Sequence, residues 1–200
     1  MSKTIDYYVS LQSPWTYLGH QRLLELAAQH DATIIPRPVD FGTIFPATGG
    51  LPLPKRAPQR QAYRLVELAR WRDFLNLPLN LQPRYFPVSE ALAAGIVIAA
   101  RQQDTTAAVA LTGAILRAVW VEERDIADPI TLGAIASAFG LDGEDLLRQA
   151  EQDTIRDMKA ADSQAAIARG VFGAPSYVYQ DEIFWGQDRL DFLARALEKS

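Results

Sequence analysis

Strand-like patterns occur only near the two ends of this 200-residue chain, and this arrangement most constrains its fold. The segment from Thr4 to Ser10 alternates apolar and polar residues, a helix pattern begins at Pro14, and residues 32–39 are again rich in β-branched residues. A strand, a helix and a second strand in this order favour two parallel strands joined by a right-handed crossover. Pro36 and Pro38 place the second strand at a sheet edge or where the chain leaves the sheet.

The remaining strand patterns come late in the chain. Residues 176–179 and 182–185 are separated by Gln180 and Asp181, a combination that predicts a hairpin. Residues 188–197 then carry leucine and alanine at helical spacing. A β-α-β unit joined to a late hairpin and a final helix is the thioredoxin arrangement, so the sequence predicts an α/β fold of that kind.

The middle of the chain has helix signals and little strand pattern. Helices are predicted over 58–75, from Ser89 as N-cap through the apolar segment 91–100, and from Thr105 as N-cap to about residue 120, with shorter helices up to Gly170. A proline-rich segment from Phe45 to Pro58 is predicted to be a loop. We therefore expect a discontinuous thioredoxin-like domain, residues 1–57 and 158–200, interrupted by an all-helical insertion, residues 58–157.

Composition excludes several functional classes. The net charge is −4 with no dense basic run, so nucleic acid is not an expected partner. The longest apolar segment, residues 91–100, is shorter than the about 20 residues needed to cross a membrane, and no signal-peptide pattern is visible, so a cytoplasmic protein is expected. The chain has no cysteine, which excludes disulfides, thiolate metal sites and redox chemistry on its own thiols; no metal is expected.

The strongest local motif is Ser13-Pro14-Trp15-Thr16, where the first strand meets the first helix. A helix N-terminus carries partial positive charge and free N–H groups, so it favours an anion such as a thiolate. In a thiol oxidoreductase this junction holds C-x-x-C, whereas here Ser13 and Thr16 occupy the two cysteine positions. The motif thus predicts a site that binds a thiolate but does not supply one, and the alternative is a plain helix cap.

Two further motifs have both a functional and a structural interpretation. A cis proline at Pro175 would leave the backbone of Ala174 free to pair with an extended peptide, while the alternative is an ordinary turn. Asp188 either caps the last helix or, with the helix N-terminus, holds the opposite charges of a zwitterionic ligand such as a γ-glutamyl group.

Taken in order, five motifs resemble the 2-hydroxychromene-2-carboxylate isomerase family, with kappa-class glutathione transferases and DsbA-type proteins as broader relatives. The resemblance spans nearly the whole chain. The motifs are S-P-W-T-Y-L-G, P-V-D-F-G-T-I-F-P-A-T-G-G, R-Y-F-P-V-S-E-A-L-A, G-V-F-G-A-P and F-W-G-Q-D-R-L-D-F-L.

The resemblance implies glutathione as the cofactor. It assigns Ser13 to the glutathione sulfur as the catalytic residue and the backbone of Ala174 to the cysteinyl part, with Pro175 as the cis proline. It assigns Gln187 and Asp188 to the γ-glutamyl end.

The substrate side of the predicted site is less specific. The family often has Asn where this chain has Gly50, which puts one polar contact to glutathione in doubt. An aromatic wall and a carboxylate-binding cation are expected from a set of residues that would otherwise be core aromatics and solvated cations: Trp15, Phe45, Tyr85 and Phe86, with Lys55 or Arg84.

The family reaction interconverts 2-hydroxychromene-2-carboxylate and trans-o-hydroxybenzylidenepyruvate by addition and release of the glutathione thiolate, which is nucleophilic catalysis. Two alternatives remain open at this point: a transferase or peroxidase that consumes glutathione, and a non-catalytic module that binds thiols or peptides. Family members often form dimers, so a homodimer is expected as well.

Overall fold

A four-stranded mixed sheet lies at the centre of the computed structural model, which describes residues 3–199. Its strands are β1 (Lys3–Val9), β2 (Ala32–Pro38), β3 (Ser176–Tyr179) and β4 (Glu182–Trp185), in the order β2-β1-β3-β4. Strand β1 pairs with β2 in parallel and with β3 antiparallel, and β3 and β4 form the predicted hairpin. This sheet, built from both ends of the chain, confirms the thioredoxin-like fold.

Between residues 3 and 199 the chain also forms nine α-helices and two short 3-10 helices. The α-helices are α1 (Pro14–Gln29), α2 (Phe41–Thr48), α3 (Pro58–Leu75), α4 (Ala91–Gln103), α5 (Thr105–Trp120), α6 (Pro129–Ala138), α7 (Gly143–Ala150), α8 (Asp153–Ala168) and α9 (Leu190–Glu198). The 3-10 helices are Leu53–Lys55 and Gln187–Arg189.

The predicted loop from Phe45 to Pro58 is wrong in its first part, because α2 continues to Thr48. Asp40 caps this helix by accepting hydrogen bonds from the Gly42 N–H and the Thr43 hydroxyl, both at 2.8 Å. Pro46 lies inside the helix and removes one backbone donor, a cost that a short, well-capped helix tolerates.

Two predicted N-caps are also shifted by one residue. Asp104, rather than Thr105, caps α5 by accepting from the N–H groups of Thr106 and Ala107. The N-cap position of α4 is Glu90, but the Ser89 hydroxyl oxygen still accepts from the Ala91 N–H at 3.4 Å. At α5 the sequence offers adjacent candidates, and the carboxylate, the stronger acceptor, takes the position.

The helical middle of the chain packs directly on the sheet. Residues 93–100 of α4 are all buried, because this helix lies among α5, α7, α8 and β2. One apolar cluster therefore includes residues of the sheet and of α3 to α7. The division at residues 57/58 and 157/158 stays a prediction, and α8 runs across its second boundary.

None of the helices within residues 3–199 combines the length and apolar character that a membrane span requires.

An ion-pair network joins the sheet to α4 and α8. Arg37 on β2 contacts Asp6 on β1 (Nε to Oδ1, 2.6 Å) and Asp162 on α8 (Nη1 to Oδ1, 2.5 Å). Arg101 on α4 lies 2.8 Å from the other oxygen of Asp162, an ion pair outside hydrogen-bonding geometry, and Arg169 pairs with Asp6 at 2.6 Å. Each carboxylate in this network contacts two guanidinium groups, which compensates its partial burial.

Helix α1 approaches the hairpin and the 3-10 helix Gln187–Arg189 closely at Gly19. A Cβ atom at this position would lie 2.7 Å from the Tyr177 hydroxyl oxygen and 2.8 Å from the Gln187 Cβ. Only glycine therefore allows α1 to lie this close to the residues that follow β4.

We expect Gly19→Ala to lower the free energy of unfolding by about 1–3 kcal/mol, because the added methyl group overpacks this contact. Gly133→Ala is the matched control, since the nearest atom to its Cβ would be the Leu147 side chain at 3.2 Å. At that position the gain in helix propensity predicts a stabilisation of up to about 1 kcal/mol. Denaturant unfolding of both variants checks the prediction, and equal stabilisation by the two changes would contradict it.

Candidate active site

The three predicted site motifs meet at one end of the sheet. Tyr8 on β1 lies opposite Ser176 on β3, and Ser176 lies opposite Trp185 on β4, so these residues form a row across three strands. Beyond this row β1 leads into the Ser13 loop, and β3 is preceded by Pro175. Pairing in the sheet thus brings together segments from the two ends of the chain.

Hydrogen bonds fix the residues that follow β4 to the Pro175 loop and to α1. The Gly186 N–H donates to the Pro175 carbonyl at 2.9 Å. Arg22 on α1 donates through Nη1 to both the backbone carbonyl (3.1 Å) and the side-chain oxygen (3.0 Å) of Gln187. The residues after β4 are therefore held against both the Pro175 loop and α1.

Ser13 is the N-cap of α1, and its hydroxyl oxygen accepts from the Thr16 N–H at 3.3 Å. A hydroxyl that accepts through its oxygen keeps its own O–H as a donor. The capping and functional interpretations of Ser13 are therefore compatible. Thr16, which occupies the second cysteine position, is fully buried and lies below the surface of the site.

The Ala174–Pro175 peptide bond is cis, as expected from the sequence. Neither the N–H nor the C=O of Ala174 has a hydrogen-bond partner within residues 3–199. The Ser176 hydroxyl donates to the Gly173 carbonyl at 2.7 Å and stabilises the turn before β3. Ala174 consequently offers an unpaired donor and acceptor at the same end of the sheet as Ser13.

Gln187 and Asp188 have different environments. Gln187 is 2% exposed, and both its side-chain oxygen and its backbone carbonyl accept from Arg22, so this residue is buried behind the site. The Asp188 carboxylate is partly exposed and pairs with Arg189 at 2.6 Å. Of the two, the Asp188 side chain is accessible to a charged ligand group.

The segment that precedes α4 is tied to the Ser13 loop through Gln12. The Gln12 side-chain oxygen accepts from the Val88 N–H at 3.3 Å, and the Gln12 N–H donates to Glu90 Oε2 at 3.2 Å. Glu90 Oε2 also accepts from the Ser10 hydroxyl at 2.9 Å. These bonds connect the helical insertion to the residues immediately before Ser13.

Burial raises the pKa of Glu90, and the hydrogen bonds from Ser10 and Gln12 and the charge of Lys159 on α8 only partly oppose this effect. Glu90 was not identified from the sequence. Its donors are about 80 residues away along the chain, so no local spacing pattern indicates their contact.

The predicted substrate-side aromatic residues do not all belong to one apolar cluster. Phe86 packs against Trp120 with ring centroids 4.9 Å apart, and Tyr85 lies beside Arg84, whose Cζ is 5.2 Å from the Tyr85 ring centroid. Both aromatic residues belong to the segment held by Gln12. Trp15, in the first turn of α1, packs against the main apolar cluster.

Phe45 packs against the smaller apolar cluster, which Ala174 also contacts. A Cβ at Gly50 would lie 2.4 Å from the Phe45 ring, so the Asn frequent in the family requires this ring to move. Lys55 and Arg84 are exposed. The assignments of all these residues to a substrate stay predictions.

His20 is a buried titratable group beneath the site. Its Nδ1 lies 3.3 Å from the Tyr7 hydroxyl oxygen, and burial lowers the pKa of His20 to about 4. The ring is therefore neutral at pH 7, and its position on the inner face of α1 gives it a role in packing.

Comparison with known proteins agrees with this geometry. A family model for the DSBA-like thioredoxin domain matches residues 4–198. A 2-hydroxychromene-2-carboxylate isomerase from Sphingobium xenophagum is 33% identical over 194 residues, 96% of this chain and 97% of the relative. A glutathione S-transferase kappa 2 from Caenorhabditis elegans is 22% identical over 96% of this chain and 92% of its own length.

Among solved structures, a 2-hydroxychromene-2-carboxylate isomerase superimposes with a TM-score of 0.82 at 27% sequence identity, covering 98% of this chain and 95% of that one. Matches over nearly the full length in both sequence and fold indicate a common ancestry. The chain therefore belongs to the DsbA-like thioredoxin family and, within it, to the family of 2-hydroxychromene-2-carboxylate isomerases.

Proposed function

We propose that this protein is a glutathione-dependent isomerase that interconverts 2-hydroxychromene-2-carboxylate and trans-o-hydroxybenzylidenepyruvate or a related unsaturated aromatic carboxylate. The observation that carries the proposal is the Ser13 hydroxyl at the N-terminus of α1, at the same end of the sheet as the unpaired backbone of Ala174. Glutathione fits these residues because it combines a thiol with extended peptide groups. When bound, it would supply the sulfur nucleophile that adds to the conjugated double bond and is released after rotation.

Ser13 is the proposed catalytic residue. Its oxygen accepts from Thr16 and its O–H stays available as a donor, which we propose bonds the sulfur. A donor to the sulfur and the positive end of the helix dipole both favour the thiolate over the thiol. Together they would lower the thiol pKa from about 8.5 toward neutrality.

The remaining ligand contacts follow from groups that the fold leaves unpaired. The N–H and C=O of Ala174 would pair with the cysteinyl part in the manner of an added strand. The Asp188 carboxylate would hold the ammonium of the γ-glutamyl end by a charge-assisted hydrogen bond. Gln187 would act by holding Asp188 in place through its two hydrogen bonds with Arg22.

A kappa-type glutathione transferase is the second candidate, favoured by the similarity to the nematode kappa protein. Both activities need the same thiolate site. They differ in whether the glutathione sulfur stays bonded to the product or is released from it. Product analysis separates them, because the transferase accumulates a stable conjugate whereas the isomerase returns free glutathione.

We expect Ser13→Ala to raise the pKa of bound glutathione and to lower kcat roughly 10- to 100-fold, the value of one hydrogen bond to a charged group. Ser13→Thr, which keeps the hydroxyl, is the matched control and should retain most of the activity. The measurements are the ultraviolet absorbance of the thiolate across pH and the rate of isomerisation of trans-o-hydroxybenzylidenepyruvate. An unchanged thiol pKa and full activity in Ser13→Ala would remove Ser13 from the mechanism.

Glu90 makes the stability of the Ser13 loop dependent on pH. Because the pKa of Glu90 is raised in the folded protein, its contribution to stability is fully present at low pH and is lost as the pH rises through the folded-state pKa. Glu90→Gln keeps a side-chain oxygen that accepts from Ser10 or Gln12 and has no charge to bury. We therefore expect the free energy of unfolding of the variant, measured against that of the wild type, to be higher at about pH 7 than at about pH 4.

Denaturant unfolding at both pH values gives this difference, with the exposed Glu182→Gln as control for the loss of one carboxylate. The prediction is wrong if Glu90→Gln changes the free energy of unfolding equally at the two pH values.

A further inference from the structure

Arg64 on α3 is a half-buried cation without an anionic partner. Its Cζ lies 5.4 Å from the Phe86 ring centroid and 5.9 Å from that of Trp120. Within residues 3–199 no carboxylate pairs with this guanidinium and none of its N–H groups donates a hydrogen bond. In contrast, the partly buried Arg37 and the buried side chain of Arg101 both contact Asp162.

The charged neighbour of Arg64 is a second cation. Arg56 is fixed by the hydrogen bond from its Nε to the Leu51 carbonyl, 2.8 Å long. Burial, and secondarily the positive charge of Arg56, lower the pKa of Arg64 to about 10, so Arg64 is still protonated at neutral pH. Two like charges in a partly desolvated position repel one another, and a bound anion would relieve that repulsion.

Contacts already described connect Arg64 to the candidate active site. Phe86, under the Arg64 guanidinium, is two residues from Val88, whose N–H donates to Gln12. Gln12 immediately precedes Ser13. Arg64 therefore lies on the insertion side of the Ser13 loop, next to aromatic rings suited to a flat ligand.

The cluster contains another donor without an acceptor. The indole N–H of Trp120, whose ring is tilted 51° against that of Phe86, is buried and has no partner among the residues that the structure describes. Arg64 and Trp120 thus provide two unpaired donors within the described residues, of which only Arg64 is partly exposed.

We propose that Arg64 binds the carboxylate of a ligand held at the Ser13 loop. The inference rests on the proposed function, since that function supplies the ligands. Arg64 can offer two parallel N–H donors to a carboxylate while keeping its contact with the aromatic rings. The carboxylate belongs either to the aromatic substrate or to the glycine end of glutathione, and the experiment distinguishes these two sources.

The test is isothermal titration of wild type and Arg64→Gln with three probes. They are glutathione, γ-glutamylcysteine, which lacks the glycine, and trans-o-hydroxybenzylidenepyruvate added in the presence of S-methylglutathione, which cannot form a thiolate. If the substrate carboxylate binds Arg64, Arg64→Gln weakens binding of the aromatic acid roughly 10- to 100-fold and leaves both thiols unchanged. If the glycine carboxylate binds, glutathione is weakened by a similar factor and γ-glutamylcysteine is not.

Arg70→Gln is the matched control, because it removes the same charge from the exposed side of the same helix. Arg64→Gln also loses the contacts with Phe86 and Trp120, which could weaken binding indirectly. A measurement on the wild type therefore accompanies it. Phenylglyoxal modification of Arg64, quantified by mass spectrometry, should be slowed at least several-fold by the ligand that binds there.

The proposal is overturned if neither carboxylate protects Arg64 from phenylglyoxal in the wild type. Equal binding by wild type and Arg64→Gln, or an equal loss in Arg70→Gln, would overturn it as well. The isomerisation rate is recorded separately. If the wild type binds the aromatic acid through Arg64 but does not isomerise it, the proposed carboxylate site is supported and the proposed function is refuted.

Discussion

Strand β1 is enclosed on all sides, and the position of the candidate site depends on this enclosure. It has hydrogen-bonded strands on both edges, Tyr7 lies in the main apolar cluster on one face, and Tyr8 lies in the smaller cluster on the other. A shift in register by one residue would exchange the faces of every side chain, so the pairing is strongly determined. The end of β1 is consequently a fixed point, and α1 begins four residues beyond Ser10 with its N-terminus at that point.

The electrostatics of the molecule differ between its structural and its candidate functional regions. On the sheet side, Asp6 and Asp162 are each shared by two arginines, so the charge of every carboxylate in this network is compensated within the protein. At the site the opposite holds, because the Ser13 hydroxyl, the Ala174 backbone and Arg64 each have unused hydrogen-bonding capacity. Unsatisfied groups of this kind are costly in a folded protein, and their concentration in one region is typical of a binding site.

Local signals predicted most elements, and long-range contacts account for what was missed. Ser13 with Pro14, and Pro58, mark helix starts that the structure reproduces. The helix α2 was missed because Pro46 suggests a break, whereas the cap at Asp40 and the left-handed Gly49 define a helix around it.

At the candidate site, too, local motifs could be identified from the sequence and long-range contacts could not. Ser13 and Pro175 were identified because their motifs are local and resemble those of a family. Glu90 and the inward orientation of Gln187 depend on partners far along the chain, and the lack of a partner for Arg64 is a property of the whole surrounding structure. Spacing within a sequence contains no information of that kind.

The open edge of β2 has a further consequence for the protein outside its catalytic role. Exposed sheet edges can pair with strands of other molecules and start aggregation. At Pro36 the edge has no N–H to offer, and the Pro36 carbonyl already accepts from Arg101 at 2.9 Å. Because Arg101 also pairs with Asp162, the network that fastens α4 and α8 to the sheet also blocks strand addition at this residue, so protection against aggregation and internal cohesion depend on the same side chain.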